Sequence, residues 1–342
     1  MDKPGTRKRH SGSIPLTGGI AIACACVLTG FIVAPWSSIG IGLAVGALLM
    51  LAVGVFDDRF EIRARYRFAA QVAAGISIVY IGGDYVQDLG EVFGPGGIGL
   101  NVFAVPFTII AIAGLANALN MSDGLDGLCG GHVLIAMFWL ILAAARIGDN
   151  VADPALFAQV GAIVLPILGA LVAFMILNSR YFGRSHAAVF MGDGGSMSLG
   201  VLLAWFTIHL SATVDPYLVN GLEPISAVWI VAVPLADMFA CMVRRLKNRI
   251  TPMSADRQHL HHMLLEMGLT HHQTVVAIHL LALASGAIGF FGWVNDVPAY
   301  YMFWSLIAII GAYSIFAIRF WAQRADLAEV DVPTTQVVTE RQ

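Results

Sequence analysis

The sequence predicts an all-α, polytopic integral membrane protein with about ten transmembrane helices, and three observations carry that prediction. Of the 342 residues, 58% are hydrophobic and only 12% charged, with a mean hydropathy of +0.78. Soluble domains carry roughly a quarter charged residues, so no soluble core could use this much apolar surface. The apolar residues also fall into successive stretches near the roughly 20 residues a helix needs to cross a bilayer. Lastly, the basic residues sit almost entirely in alternate connections between those stretches.

The stretches run approximately over 14–35, 38–55, 68–82, 100–117, 128–146, 156–177, 196–212, 225–241, 273–293 and 298–321. The first follows a basic segment, Met1 to His10, and is too long and too closely followed by others to be a cleavable signal. The second ends in GVF and opens onto DDRFEIRARYR. The third, one of the two shortest, leads into the bland segment 83–99 with its GPGGIG. The fourth returns to NALNMSDGLDG. Segment 147–155 joins the fifth and sixth, and NSRYFGRSHAAVFMGDGG follows them. The seventh, the other short one, is joined to the eighth through 213–224. After the eighth comes the polar segment 242–272, containing RRLKNRITPMSADRQHLHHMLLEMGLTHH. The ninth and tenth complete a single membrane-embedded domain, 1–323, and 324–342 is expected to be a polar, disordered cytoplasmic tail.

Ten crossings put both termini on one side, and eighteen of the nineteen Lys and Arg then share that side, Arg146 being the exception. By the positive-inside rule that face is cytoplasmic, which predicts a multi-pass protein of the bacterial inner membrane. Cys24, Cys26, Cys129 and Cys241 lie inside or at the ends of apolar stretches without CxxC spacing, so they read as small buried residues.

The unusual polar residues gather in the inward loops. Asp57 and Asp58 stand at the cytosolic mouth of the second stretch, where an acidic pair repels itself unless a cation or substrate needs it; the plainer reading is a solvated pair balanced by Arg59. In NALNMSDGLDG a repeated spacing of three puts Asn117, Asn120, Asp123 and Asp126 on one helical face until Gly124 and Gly127 break it. Their oxygens suit Mg²⁺, which binds through one or two carboxylates plus substrate phosphates, although DG steps also mark ordinary turns. Asp193 in VFMGDGGS is flanked by glycines that would let the backbone approach a phosphate at a helix start. Phe190 offers a flat face to a base, or packs at the lipid interface.

In ADRQHLHH, the residues Asp256, Arg257, His259, His261 and His262 invite a zinc reading, but no Cys or further nearby carboxylate completes a tetrahedral set. A cationic loop gripping a diphosphate is the more natural reading. Carboxylates, Mg²⁺ and basic donors at membrane-embedded helix ends are the apparatus of phosphoryl transfer onto a lipid. An ion-coupled transporter is the rival of another class, but transporters place ionisable groups near the bilayer midplane rather than at one set of mouths.

The ordered motifs DKPxxRKRHxxxIPLxGG, DDR, NALNMSDGLDGL, VFMGDGGS and PMSADRQHLHH resemble the polyprenyl-phosphate N-acetylhexosamine-1-phosphate transferase superfamily over roughly residues 2 to 321. Within it they are most similar to the WecA-like UDP-N-acetylglucosamine:undecaprenyl-phosphate branch. The resemblance implies a UDP-N-acetylhexosamine donor, a polyprenyl phosphate acceptor, UMP as by-product, Mg²⁺ with Mn²⁺ as a substitute, and a lipid diphospho-sugar that starts O-antigen or similar glycans. It implies catalytic roles for Asp57, Asp58, Asp123, Asp126, His259, His261 and His262. Substrate contacts are implied for Lys8, His10, Asn117, Asn120, Phe190 and Arg257, with Phe190 stacking on uracil. Metal ligation is implied for Asp193, Asn120 and Asp57. The expected partners are these substrates, the membrane and a second copy in a homodimer, with no nucleic acid. Relatives of this type carry a further transmembrane helix before DKP, so the expectation is either a helix upstream of this start or a protein working without it.

Overall fold

Over the described residues the ten apolar stretches are mainly helical, as hydrocarbon demands: with no water to satisfy them, backbone N–H and C=O groups pair within a helix. The structure is a computed structural model and describes residues 14–33, 37–148, 154–180, 184, 186–211, 221–251 and 258–330. In chain order the helices are α1 (Gly18–Val33), α2 (Ser38–Phe60), α3 (Ala64–Ser77), α4 (Ala104–Ser122), α5 (Leu128–Gly148), α6 (Pro154–Asn178), α7 (Gly192–Ser211), α8 (Pro224–Ile230), α9 (Ala232–Lys247), α10 (Leu260–Glu266), α11 (His271–Val294) and α12 (Ala299–Val330). A π-helical turn, Ile78–Gly82, prolongs α3, and a 3-10 turn, Asn101–Phe103, leads into α4.

Among the described residues, seven helices are long and apolar enough to cross a membrane: α2, α4, α5, α6, α7, α11 and α12. Counting α8 and α9 as one bent span makes eight. The protein is therefore an all-α, multi-pass membrane protein. The expected ten is not reached by this measure because α1 has 16 residues and α3 has 14, and α3 carries Arg65 and Arg67 in its opening turn. The bend between α8 and α9 is 83°. Pro234 explains it: proline has no N–H to give the carbonyl of Ile230, and its ring crowds that carbonyl. The polar tail expected from 324 is helical as far as Val330, where ADLAE supplies good helix formers. Arg324 also donates to the carbonyl of Glu266, tying α12 to the end of α10.

Helix α7 is the buried centre, with Met197, Leu199, Leu203, Trp205 and Phe206 enclosed and α1, α2, α4, α5 and α8 packed around it. Small residues permit that approach. A Cβ on Gly54 of α2 would collide with the backbone of Gly194, and one on Gly19 of α1 with that of Gly195. This packing sets the end of α2 against the start of α7.

The alternation of helices produces two poles. At one, the ends of α2, α4, α6 and α9 meet the starts of α3, α5, α7 and α10. At the other, the pole that the charge bias predicts to face outward, Asp84 follows α3 and accepts hydrogen bonds from the end of α7.

Candidate active site

The site begins where α2 ends. Asp57 and Asp58 lie within its last turn, where the helix dipole opposes negative charge, so each needs a specific donor. Asp57 is buried; its Oδ1 accepts the N–H of Ile62 at 2.8 Å and its Oδ2 accepts Arg67 Nη1 of α3 at 2.6 Å. Asp58 Oδ1 accepts the backbone N–H of Asp193 at 3.2 Å, so a carboxylate of one helix caps the start of another. Gly192 makes this possible: its φ is +75°, and a Cβ there would lie 2.6 Å from Asp58 Oδ2. Arg67 Nη1 also stands 3.8 Å from Asp193 Oδ2. Three carboxylates thus share one neighbourhood, and Arg67 serves two of them.

Helix α4 supplies the next wall. Asn120 Oδ1 accepts the hydroxyl of Ser196 at 3.0 Å. The amide of Asn117 meets the sulfurs of Met121 and Met238, at 3.3 and 3.5 Å, which are weak acceptors that leave it available to a better one. The expected common face ends there. The helix stops at Ser122 and Asp123 leaves helical geometry, with ψ of 54°. Burial, then the charges of Asp58 and Asp126, push the Asp123 carboxyl up to about 7. Asp126 turns away and braces the loop before α7: its Oδ2 accepts Arg180 Nε at 2.7 Å and the N–H of Ala187 at 3.1 Å.

The histidines form the third wall. His259 is the extended residue before α10, and its ring stacks on that of His261 at 5.7 Å and 8°. His261 lies over Gly124, where any Cβ would strike the imidazole, so the DG turn has a packing reason for its glycine. Burial, followed by the neighbouring His262 and His259, pushes His261 down to about 3, and its Nε2 has no hydrogen-bond partner. His259 Nδ1 lies 3.4 Å from Asp237 Oδ2 and 3.3 Å from Cys241 Sγ. The sequence reading denied the histidine cluster a cysteine or a carboxylate; the return of the chain from α9 brings both to His259.

These walls enclose a cavity of about 1020 Å³. Arg67, Asn117, Asn120, Asp193, His259, His261 and His262 line it, with Arg245 and Gln71. Apart from Thr207 and Ser211 of α7, the rest of its lining is apolar and runs along α4 from Met121 to Phe107, about 20 Å at 1.5 Å per residue, past Val231 at the α8–α9 bend to Phe303 and Ile310 of α12. Asp57, Asp123, Asp126 and Phe190 do not line it; Phe190 instead pairs through its backbone with Pro15 and Gly18. Lys8, His10 and Arg257 lie outside the described residues.

Sequence reasoning had counted Arg67 only toward the charge bias and passed over Asp237 and Tyr313. An ionisable residue inside an apolar stretch, as Asp237 is in VPLADMFA, was the signal that would have found it.

A model of glycosyl transferase family 4 matches residues 40–211 of the chain. An undecaprenyl-phosphate alpha-N-acetylglucosaminyl 1-phosphate transferase of Yersinia pestis is 36% identical over 294 residues, 85% of this chain and 76% of that protein. The protein of the same name from Escherichia coli (strain K12) is 36% identical over 290 residues, 84% and 75% of the two chains. Its namesake in Pasteurella multocida (strain Pm70) is 33% identical over 323 residues, 94% and 87%.

Proposed function

The chain belongs to glycosyl transferase family 4, and from that premise we propose that it transfers N-acetylglucosamine-1-phosphate from UDP-N-acetylglucosamine to undecaprenyl phosphate on the cytoplasmic face of the inner membrane. The names of its relatives supply donor and acceptor. The observation that carries the reading is the two-part cavity, polar where α2, α4, α7 and the histidines meet and apolar for the remainder of its length. A phosphate on a long hydrocarbon chain has the same division. The placement of Lys and Arg supports the cytoplasmic side.

In the proposed reaction an oxygen of the lipid phosphate attacks the phosphorus bearing the sugar. The bond from that phosphorus to the bridging oxygen breaks, and the bridging oxygen departs with UMP. A phosphomonoester has its second pKa near 6, so the attacking oxygen needs no strong base at pH 7. The obstacle is the meeting of anions in a site that already holds Asp57, Asp58 and Asp193.

The donor set there is carboxylate and amide oxygen, which fits Mg²⁺ and excludes a preference for softer metals. Asp193 and Asn120 would hold it, with Mn²⁺ as a substitute, and bound metal supplies charge neutralisation at the phosphates. Asp57, with both oxygens committed to Ile62 and Arg67, would join as a ligand only by exchanging one of them. Arg67 keeps Asp57 and Asp193 together, His259 and His262 bind diphosphate oxygens, and Asn117 and Asn120 orient the donor. The apolar lining from Gly114 to Phe107 takes the prenyl chain and excludes water from the polar end.

Purified protein with UDP-N-acetylglucosamine, undecaprenyl phosphate and Mg²⁺ is expected to release UMP, with a matching loss on omitting either lipid or metal. UMP released equally well without lipid would refute the acceptor, and a better rate with another UDP-sugar would reassign the donor.

A further inference from the structure

One buried carboxylate beside the site has no part in the scheme above. Asp237 lies midway along α9 and is only 5% exposed. Its Oδ1 accepts the hydroxyl of Tyr313 from α12 at 2.7 Å and the N–H of Leu260, the first residue of α10, at 2.8 Å. Its Oδ2 faces His259 Nδ1 at 3.4 Å. A carboxylate withdrawn from water is costly unless its oxygens are paired, and here the pairing gathers three helices on one imidazole.

We propose that Asp237, itself held by Tyr313, is a positioning residue that fixes His259 as a cation at the polar end of the cavity. The inference rests on the functional reading above for what the imidazolium binds, but not for the clamp itself. Nδ1 is engaged by Asp237 and Cys241, and the ring lines the cavity. A carboxylate that orients an imidazole and stabilises its charge is a recurrent device in catalytic and metal sites.

The charged and titratable groups around His259 agree with this assignment. His261, stacked on it, is held neutral by burial and by its neighbours. His262 stands 6.3 Å away, ring to ring. Burial alone would lower His259, but its hydrogen bonds to Asp237 and Cys241 outweigh burial and hold it up to about 10. Asp237, Cys241 and His259 also bring their ligand atoms within 4.8 Å of one another, a spacing that a metal could use. Arg244 Nη1 at 3.7 Å from Cys241 Sγ, and two donors already on Asp237 Oδ1, favour a proton there over a metal cation.

The test uses the full chain in nanodiscs with isotope-labelled histidine, the His259 signal being assigned with His259→Gln. Native His259 is expected to stay protonated to about pH 9, and in Asp237→Asn to titrate at least about two pH units lower, toward the ordinary histidine range near 6.5. Tyr313→Phe should shift it in the same direction by less, and guards against Asp237→Asn failing to fold. In UMP release, the deficit of Asp237→Asn should grow from a few-fold at pH 6 to more than tenfold at pH 8. An unmoved His259 titration in both folded variants overturns the inference, as does stoichiometric zinc in the purified native protein that Asp237→Asn loses. Native protein releasing no UMP would sink the functional reading while the histidine titration still reports on the clamp.

Discussion

The two ends of α7 solve opposite problems with the same kinds of residue. At the outward end Asp84, between α3 and the 3-10 turn, accepts Trp205 Nε1 at 2.7 Å on one oxygen and pairs with His209 Nδ1 at 3.0 Å on the other. The indole and imidazole stack at 5.2 Å, and all three side chains are buried. One carboxylate meets two donors and nothing is left over, which makes the cluster a brace between a loop and a helix. At the inward end Asp57, Asp58 and Asp193 converge, and Arg67 is shared between Asp57 and Asp193. A fold that needed only a brace would not assemble three carboxylates there. Excess negative charge beside a long apolar cavity suits the proposed substrates, which would bring cations and phosphates.

Substitutions at the two ends should therefore separate activity from stability. Asp193→Asn is expected to lower UMP release about 10²–10³-fold, the effect of removing one preorganised charge-stabilising group, while the thermal unfolding of detergent-solubilised protein stays within a few degrees of native. Arg67→Met lies between the extremes. It leaves the buried Asp57 oxygen unpaired, at a cost of about 3 kcal/mol, and it also loosens the site, so both unfolding temperature and turnover should fall. Asp84→Asn should give the converse of Asp193→Asn: a loss of about 1–3 kcal/mol because the amide keeps one acceptor oxygen for the two donors, Trp205 and His209, with turnover per folded molecule unchanged. An Asp84 variant that folds normally and loses turnover would erase the distinction between the two poles.

Much of this contrast was legible in the sequence on the inward side and almost none on the outward. Over the described residues every apolar stretch but the eighth was found as one mainly helical segment, because hydrophobic length is a local property, and the acidic mouths stood out because they break the positive-inside pattern. Three things were not local. Asp126 was grouped with Asn117 and Asn120 by a spacing of three, yet the helix ends at Ser122 and Arg180 claims its carboxylate from 54 residues away. The bend at Val231 divided what read as one stretch, although Pro234 marked it. Asp84 and Asp237 passed unremarked because their partners, Trp205 and Tyr313 among them, arrive from distant helices. Polar residues within apolar stretches reveal their purpose only once the helices are packed.

The smallest expected effect concerns Asp123, at the junction of α4 and α5. Burial first, and the charges of Asp58 and Asp126 second, raise its carboxyl to about 7, above the ordinary value of 3.8. The folded protein therefore binds a proton more tightly than the unfolded chain between those two values. Its stability must fall as pH rises from about 4 to about 7, and level off above that. In metal-free protein held in EDTA, the unfolding temperature should drop by a few degrees between pH 5 and pH 7.5. Asp123→Asn should flatten that slope, since an amide has no proton to lose. Added Mg²⁺ should restore more stability at pH 7.5 than at pH 5, because a cation placed among these carboxylates competes with the same proton. An equal slope in the native protein and the variant would mean that the repulsion is relieved elsewhere, and would move the charge excess of the inward pole away from α4 and onto the junction of α2 and α7 alone.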